Sequence, residues 1–147
     1  MAKEFLRGIQ GHERRIKALM ERRQHYYDLA MQGTGSVVLQ QPGGAHGDSR
    51  VETAVCRLMD LESDLDREID RLVDEVRLAE RLIDQLDDSR YRDILRYRYL
   101  NGWSWRRIMR EMNYEEKHVH RLHGAALVAI GRENEQFFKS RTKDDSK

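Results

Sequence analysis

Two stretches of this chain repeat apolar positions at alternating steps of four and three. In residues 1–31, Phe5, Ile9, His12, Ile16, Leu19, Arg23, Tyr26 and Ala30 fall on one line, and six of the eight are apolar or aromatic. That spacing predicts a helix with a seam of coiled-coil type. Residues 49–87 are more regular still. Val51, Val55, Leu58, Glu62, Leu65, Ile69, Leu72, Val76, Ala79, Ile83 and Leu86 follow one another without a slip, ten of the eleven apolar. Ser49, with Glu52 three residues on, forms a capping box for the start of this second helix. At ~1.5 Å per residue it would run nearly ~60 Å. Between the two lies QGTGSVVLQQPGGAHGD, residues 32–48, with five of the ten glycines and the only proline. Glycine raises the entropy cost of regular structure and proline removes a donor, so this segment is predicted to be a loop.

A loop of that length lets the first helix return along the second as an antiparallel hairpin. The second helix is the longer one, and Leu61, Val73 and Leu82 widen its apolar face. A two-helix hairpin does not cover such a face, so self-association is expected, as a homodimer or a higher homo-oligomer. The residues assigned to that seam are Val51, Val55, Leu58, Leu65, Ile69, Leu72, Val76, Ile83 and Leu86. Glu62 has two readings: a register-setting group that pairs with an arginine or with His12 of the facing helix, or an edge position.

Beyond residue 87 the long period gives way to short segments. Ser89 is the expected cap of a helix running to about Leu100, which Asn101–Gly102 ends by supplying a left-handed residue. Ser104 caps a short helix over 105–111, with Ile108 and Met112 on its inner face. Met112–Asn113–Tyr114 forms a turn, since asparagine tolerates positive φ. Glu115–Glu116 opens a third helix, where acids suit the positive end of the dipole. Val119, Leu122, Ala126 and Ile130, with Leu127, give that helix one apolar face. A scaffold helix, a short helix, a tight turn and a further helix are the layout of a helix-turn-helix. The chain is thus expected to be all-α: a helical hairpin over 1–87, a three-helix module over 88–132 and a polar tail over 133–147.

Composition narrows the function. The chain has 147 residues, 36% of them charged and 39% hydrophobic, which is a long-helix composition with little apolar material for a deep core. No run approaches ~18 apolar residues, so no membrane span is expected. Lys3, Glu4 and Arg7 interrupt Phe5–Leu6, so no signal peptide is expected either. A single cysteine, Cys56, permits no intrachain disulfide and no cysteine metal site; it reads as a small packing residue in a reducing cytoplasm. The net charge of +1 hides opposite segments. Residues 1–31 sum to +3, residues 49–88 to −7 and residues 89–132 to +6. The basic excess coincides with the helix-turn-helix, which points to a nucleic-acid partner.

At the level of family, the stretch Arg92 to Ile130 resembles region 4 of bacterial sigma factors, which reads promoter elements. The matching residues are Arg92, Ile94–Leu95, Arg98–Tyr99, Gly102, Ser104, Ile108, Met112, Tyr114, Val119, Ala126–Leu127 and Ile130. From Gly33 onward the chain is similar to small phage and prophage regulators of Gram-positive bacteria, near the RinA and ArpU groups. There a glycine-rich loop and a long helix (here VETAVCRLMDLESDLDREIDRLVD) precede a sigma-like module (here RYLNGWSWRRIMREMNYEEKHVHRLHGAAL). The sigma modules usually carry a small residue where Met109 stands and a glycine where Asn113 stands. No region-2-like part is present. The resemblance therefore implies promoter-type recognition of duplex DNA in a bacterial host cell, by a protein that is not a self-sufficient sigma factor.

A recognition helix over 115–130 would enter the major groove by its N-terminal part. The base-contact candidates are Glu116, Lys117, His118 and Arg121, since Arg forks onto guanine and Glu accepts from cytosine N4. The phosphate-contact candidates are Ser104, Arg106, Arg107, Arg110 and His120. Trp105 is expected to pack under the module; Trp103 is left to the long helix, to RNA polymerase or to DNA backbone. His123 reads as a boundary residue of the core. His118, His120 and His123 do not complete a metal-ligand set, so no metal is expected. No phosphate loop, nucleophile–base motif or paired acid and base is found, so no enzyme and no cofactor are expected. A sequence-specific transcriptional regulator is the first reading. A small terminase subunit for DNA packaging is the second, and an adaptor that docks on host RNA polymerase without touching DNA is the third.

Overall fold

The computed structural model describes the backbone of residues 1–35 and 46–144 and the side chains of residues 1–32 and 50–141. The fold is all-α. The elements are α1 (Ala2–Gly35), α2 (His46–Asp84), α3 (Ser89–Leu95), which continues as a π-helical stretch over Arg96–Leu100, then α4 (Trp105–Met112), α5 (Glu116–Glu133) and α6 (Glu135–Asp144). Among the described residues no helix is long and apolar enough to cross a membrane. The helices overrun the expected loop at both ends, since α1 reaches Gly35 and α2 begins at His46. Ser49 accordingly stands inside α2 and is not its cap. The middle of that segment, including Val37–Val38–Leu39 and Pro42, lies outside the described residues.

The chain divides into two compact units, His12–Arg71 and Met1–Gly11 with Leu72–Lys147. The first is the antiparallel hairpin. On α1 the described seam is the expected one: His12, Ile16, Leu19, Arg23, Tyr26 and Ala30 are the positions withdrawn from solvent between His12 and Gln32. On α2 the frame differs by one position in each heptad. Ala54, Leu61, Leu65 and Glu68 are buried, whereas Val55 and Ile69 are about two-fifths exposed. A strict heptad of apolar residues admits two frames, and here Ala54, Leu61 and Glu68 take the places assigned to Val55, Glu62 and Ile69.

Glu68 is the reason a carboxylate can stand in that seam. Only 4% exposed, it has His12 Nδ1 at 2.5 Å, Arg15 at 3.4 Å and Arg71 at 3.7 Å. A buried charge persists only with such partners. Glu62 lies at the edge and pairs with Arg23 at 3.4 Å. His12 thus pairs with Glu68 and not with Glu62. The flanks of the hairpin differ in kind. One carries Arg15, Arg22, Arg57 and Asp64; the other exposes Met20, Tyr27, Val55 and Ile69. Cys56 is exposed, not packed.

The second unit holds the main apolar core. Phe5, Leu6 and Ile9 of α1 and Ala79, Ile83 and Leu86 at the end of the second long helix join Ile94, Leu95, Ile108, Val119, Ala126 and Ile130. Of the expected seam, Leu72 and Val76 are half-buried here and Ile83 and Leu86 fully buried. The junction between α2 and α3 is pinned by side chains. Arg92 donates to the Leu86 carbonyl and, at 3.0 Å, to that of Asp87, and Arg96 pairs with Asp84. Cations at a helix C-terminus also suit its dipole. Where a polar tail is expected, the described residues form α6, Glu135–Asp144. In α6, Phe138 is 5% exposed and lies edge-on to Phe5 at 6.0 Å, with Phe137 at 5.8 Å from the same ring. Arg141 adds an ion pair to Glu75 at 2.5 Å. Two aromatic rings supply enough apolar area to dock an otherwise polar helix.

Candidate nucleic-acid interface

Local chemistry sets each boundary of α4 and α5. Gly102 sits at φ 64 between the π-helical stretch and α4, a conformation glycine adopts without steric cost. Ser104 is the N-cap of α4, its hydroxyl accepting from the Arg107 N–H at 3.3 Å. Asn113 closes α4 in the left-handed region, φ 54 and ψ 45, and the Tyr114 N–H then returns to the Met109 carbonyl at 3.1 Å. Glu115 is the extended residue before α5, with Glu116 in its first turn. The cap of α3 is Asp88, one residue before the expected Ser89; its carboxylate accepts from the Arg90 N–H at 2.9 Å.

The helix leading into the module does not stay α-helical to Leu100. Over Arg96–Leu100 it widens to a π-helix, in which the Asn101 N–H bonds to the Arg96 carbonyl at 2.9 Å. The widened turn presents Tyr99 to α5. Tyr99 Oη meets Nε2 of His123 at 3.0 Å, both groups buried. Burial, with Lys3 and Arg98 nearby, pushes His123 down to about 4, and burial raises Tyr99. The phenol therefore keeps its proton and is hydrogen-bonded to a neutral imidazole. His123 is 9% exposed, a core group more than a boundary one.

Around this bond the aromatic and basic residues interlock. Trp105 is half-buried against His120 at 4.7 Å and His123 at 4.9 Å. Arg98 lies over the Trp105 ring at 4.6 Å and donates to the Trp103 carbonyl at 2.9 Å. Its own carbonyl accepts from Gln10 of α1 at 2.7 Å. Trp103 stacks on Tyr97 at 4.5 Å, with the Arg107 guanidinium 3.8 Å from its ring centroid. Its partners are thus the π-helical stretch and α4. The ties made by Arg98 and Tyr97 were not foreseen; their only signal was arginine and tyrosine alternating in RYRYL.

The predicted contact residues reach the surface of one unit. On α5, Glu116, Lys117, His118 and Arg121 are exposed, opposite the buried Val119, Leu122 and Ala126. His118 stacks on Tyr114 at 4.2 Å, which fixes its ring. His120 is exposed, 3.9 Å from the Glu116 carboxylate and held on its other side by Trp105. On α4, Arg106, Arg107 and Arg110 are exposed, as is Ser104. Arg107 is oriented by Trp103, whereas the Ser104 hydroxyl has one acceptor lone pair engaged by the Arg107 N–H and keeps its proton to donate. Chemically, the surface offers fixed planar and cationic donors beside the exposed carboxylates of Glu111, Glu115 and Glu116; the donors are the kind that duplex base edges and phosphates accept.

The chain matches a protein family described as "Protein of unknown function (DUF722)" over residues 13–126 and belongs to that family. No curated protein and no solved structure matches it.

Proposed function

We propose that this protein is a sequence-specific double-stranded DNA-binding transcriptional regulator of phage type, acting in the cytoplasm of a bacterial host, with α5 in the major groove. One observation carries the reading. In a helix–turn–helix closed by Ser104, Asn113 and Glu115, the outward side of α4 bears Arg106, Arg107 and Arg110, and the N-terminal half of α5 bears Lys117 and Arg121. The three arginines hold phosphates, Lys117 and Arg121 read base edges with His118, and Glu116 accepts from cytosine or from His120. The resemblance to sigma region 4 supports the same orientation.

Self-association belongs to this reading. A dimer reads two half-sites, and the apolar flank formed by Met20, Tyr27, Val55 and Ile69 is the surface available for it. Two recognition helices of such a dimer would read half-sites spaced at ~10 bp or a multiple. Selection of bound sequences from random duplex DNA tests the reading directly. A defined motif is expected, with a steep salt dependence, since each neutralised phosphate adds about −0.9 to the slope. Lys117→Ala with Arg121→Ala should lower specific affinity by about a hundredfold, at about a factor of ten for each lost base contact. Unchanged function in that double variant favours the polymerase adaptor, and a large ring by mass measurement favours the terminase subunit.

A further inference from the structure

Gly124 stands in the middle of α5 with no reason internal to the fold. Glycine within a helix costs ~1 kcal/mol relative to alanine. Its φ is not positive, and a Cβ built there would meet nothing within 4 Å. A Cβ at Gly8 would meet Glu75 Oε2 at 3.5 Å and one at Gly131 the Ala2 Cβ at 3.9 Å, both ordinary van der Waals contacts. One turn further on, Val128 is 71% exposed, the most exposed large apolar residue among the described ones. Steps of four, three and four place Lys117, Arg121, Gly124 and Val128 on a single line, diametrically opposite Val119, Leu122, Ala126 and Ile130.

We infer that α5 lies lengthwise in the major groove, with Gly124 as the point of closest approach to the duplex and Val128 as a reader of a thymine methyl group. The inference rests on the DNA-binding reading and extends it, because end-on docking would use only the first turns of α5 and leave Gly124 and Val128 in solvent. From Lys117 to Val128 the helix advances ~16 Å, the height of about five base pairs at ~3.4 Å each. Charged side chains occupy the first half of that line, a bare Cα its middle and a small apolar surface its end. A bare Cα lets the helix axis approach base edges where any longer side chain would hold it away. Val128 then offers the branched apolar contact that the C5-methyl of thymine accepts and that no other base provides.

The test uses the full chain and the duplex that it selects from a random pool, compared with the same duplex carrying uracil for individual thymines. Gly124→Ala should raise thermal stability, because it removes the helix penalty, while lowering specific affinity by about tenfold. Gly124→Leu should abolish specific binding and leave the circular dichroism spectrum unchanged. Removing one thymine methyl should weaken the wild-type chain about threefold or more and leave Val128→Ser unaffected. The inference is overturned if Gly124→Leu binds like the wild type, or if uracil costs both chains equally. If those results occur while Lys117→Ala with Arg121→Ala still destroys binding, lengthwise docking fails and DNA reading stands. If the wild type selects no sequence at all, both fall.

Discussion

Acid should loosen the helix-turn-helix unit through one residue, His123. In the fold its imidazole is buried beside Tyr99 and near Lys3 and Arg98, and it is pushed from its ordinary 6.5 down to about 4. The unfolded chain therefore takes up this proton at a higher pH than the folded chain. The contribution of His123 to stability is complete above about pH 6.5 and is lost as pH falls through the window from about 6.5 to about 4. Below that both states hold the proton and the loss levels off. At ~1.4 kcal/mol per pH unit across that gap, the cost is about 3 kcal/mol. With 9% of the residue exposed, solvent relieves little of it. Urea unfolding followed by tryptophan fluorescence is the assay, because both tryptophans, Trp103 and Trp105, lie in this unit. His123→Gln provides the reference, since it keeps a polar side chain and does not titrate. The stability difference between the two chains should shift by about 3 kcal/mol between pH 7 and pH 4. Equal loss in both would refute the buried neutral imidazole.

Three further outcomes follow from the packing. Glu68→Ala should destabilise the hairpin by ~2 kcal/mol in chemical denaturation, below the usual cost of breaking a buried pair because Arg15 and Arg71 are already largely solvated. Glu68→Leu should be neutral or stabilising, and a loss equal to that of Glu68→Ala would show that the carboxylate is required for stability. Phe138→Ala should cost about 3–5 kcal/mol; an unchanged melting temperature would mean that α6 does not dock on Phe5. At Asn113, alanine should cost about 1–2 kcal/mol for its left-handed backbone while glycine costs nothing, and equal melting temperatures for the two variants would contradict the turn.

The caps were legible because they are local. Gly102, Ser104 and Asn113 each satisfy or terminate backbone groups within four residues, so residue type at a fixed offset is enough. Asp88 and Ser89 are both competent caps, and the structure uses Asp88, whose carboxylate accepts from the Arg90 N–H. The candidate contacts were legible as a face, since Val119, Leu122 and Ala126 fix which side of α5 is inward. The fixing of His118 by Tyr114, of Arg107 by Trp103 and of His120 by Trp105 was not legible, because these pairings depend on rotamers and on the angle between helices.

By itself, then, the sequence determined that the chain is helical, where its two long helices and the short helices α3, α4 and α5 fall, and which turns join those three short ones, since 3.6-residue periodicity and capping act within a few residues. Only the tertiary structure decided the rest. It chose the heptad frame of α2, because Ala54 and Val55 are equally apolar and only the facing helix distinguishes them. It buried Glu68, because a carboxylate enters a seam only where His12 and two arginines meet it. It widened the helix at Arg96–Leu100 so that Tyr99 reaches His123, and it ordered α6 by giving Phe137 and Phe138 the ring of Phe5, a partner more than a hundred and thirty residues away in the chain.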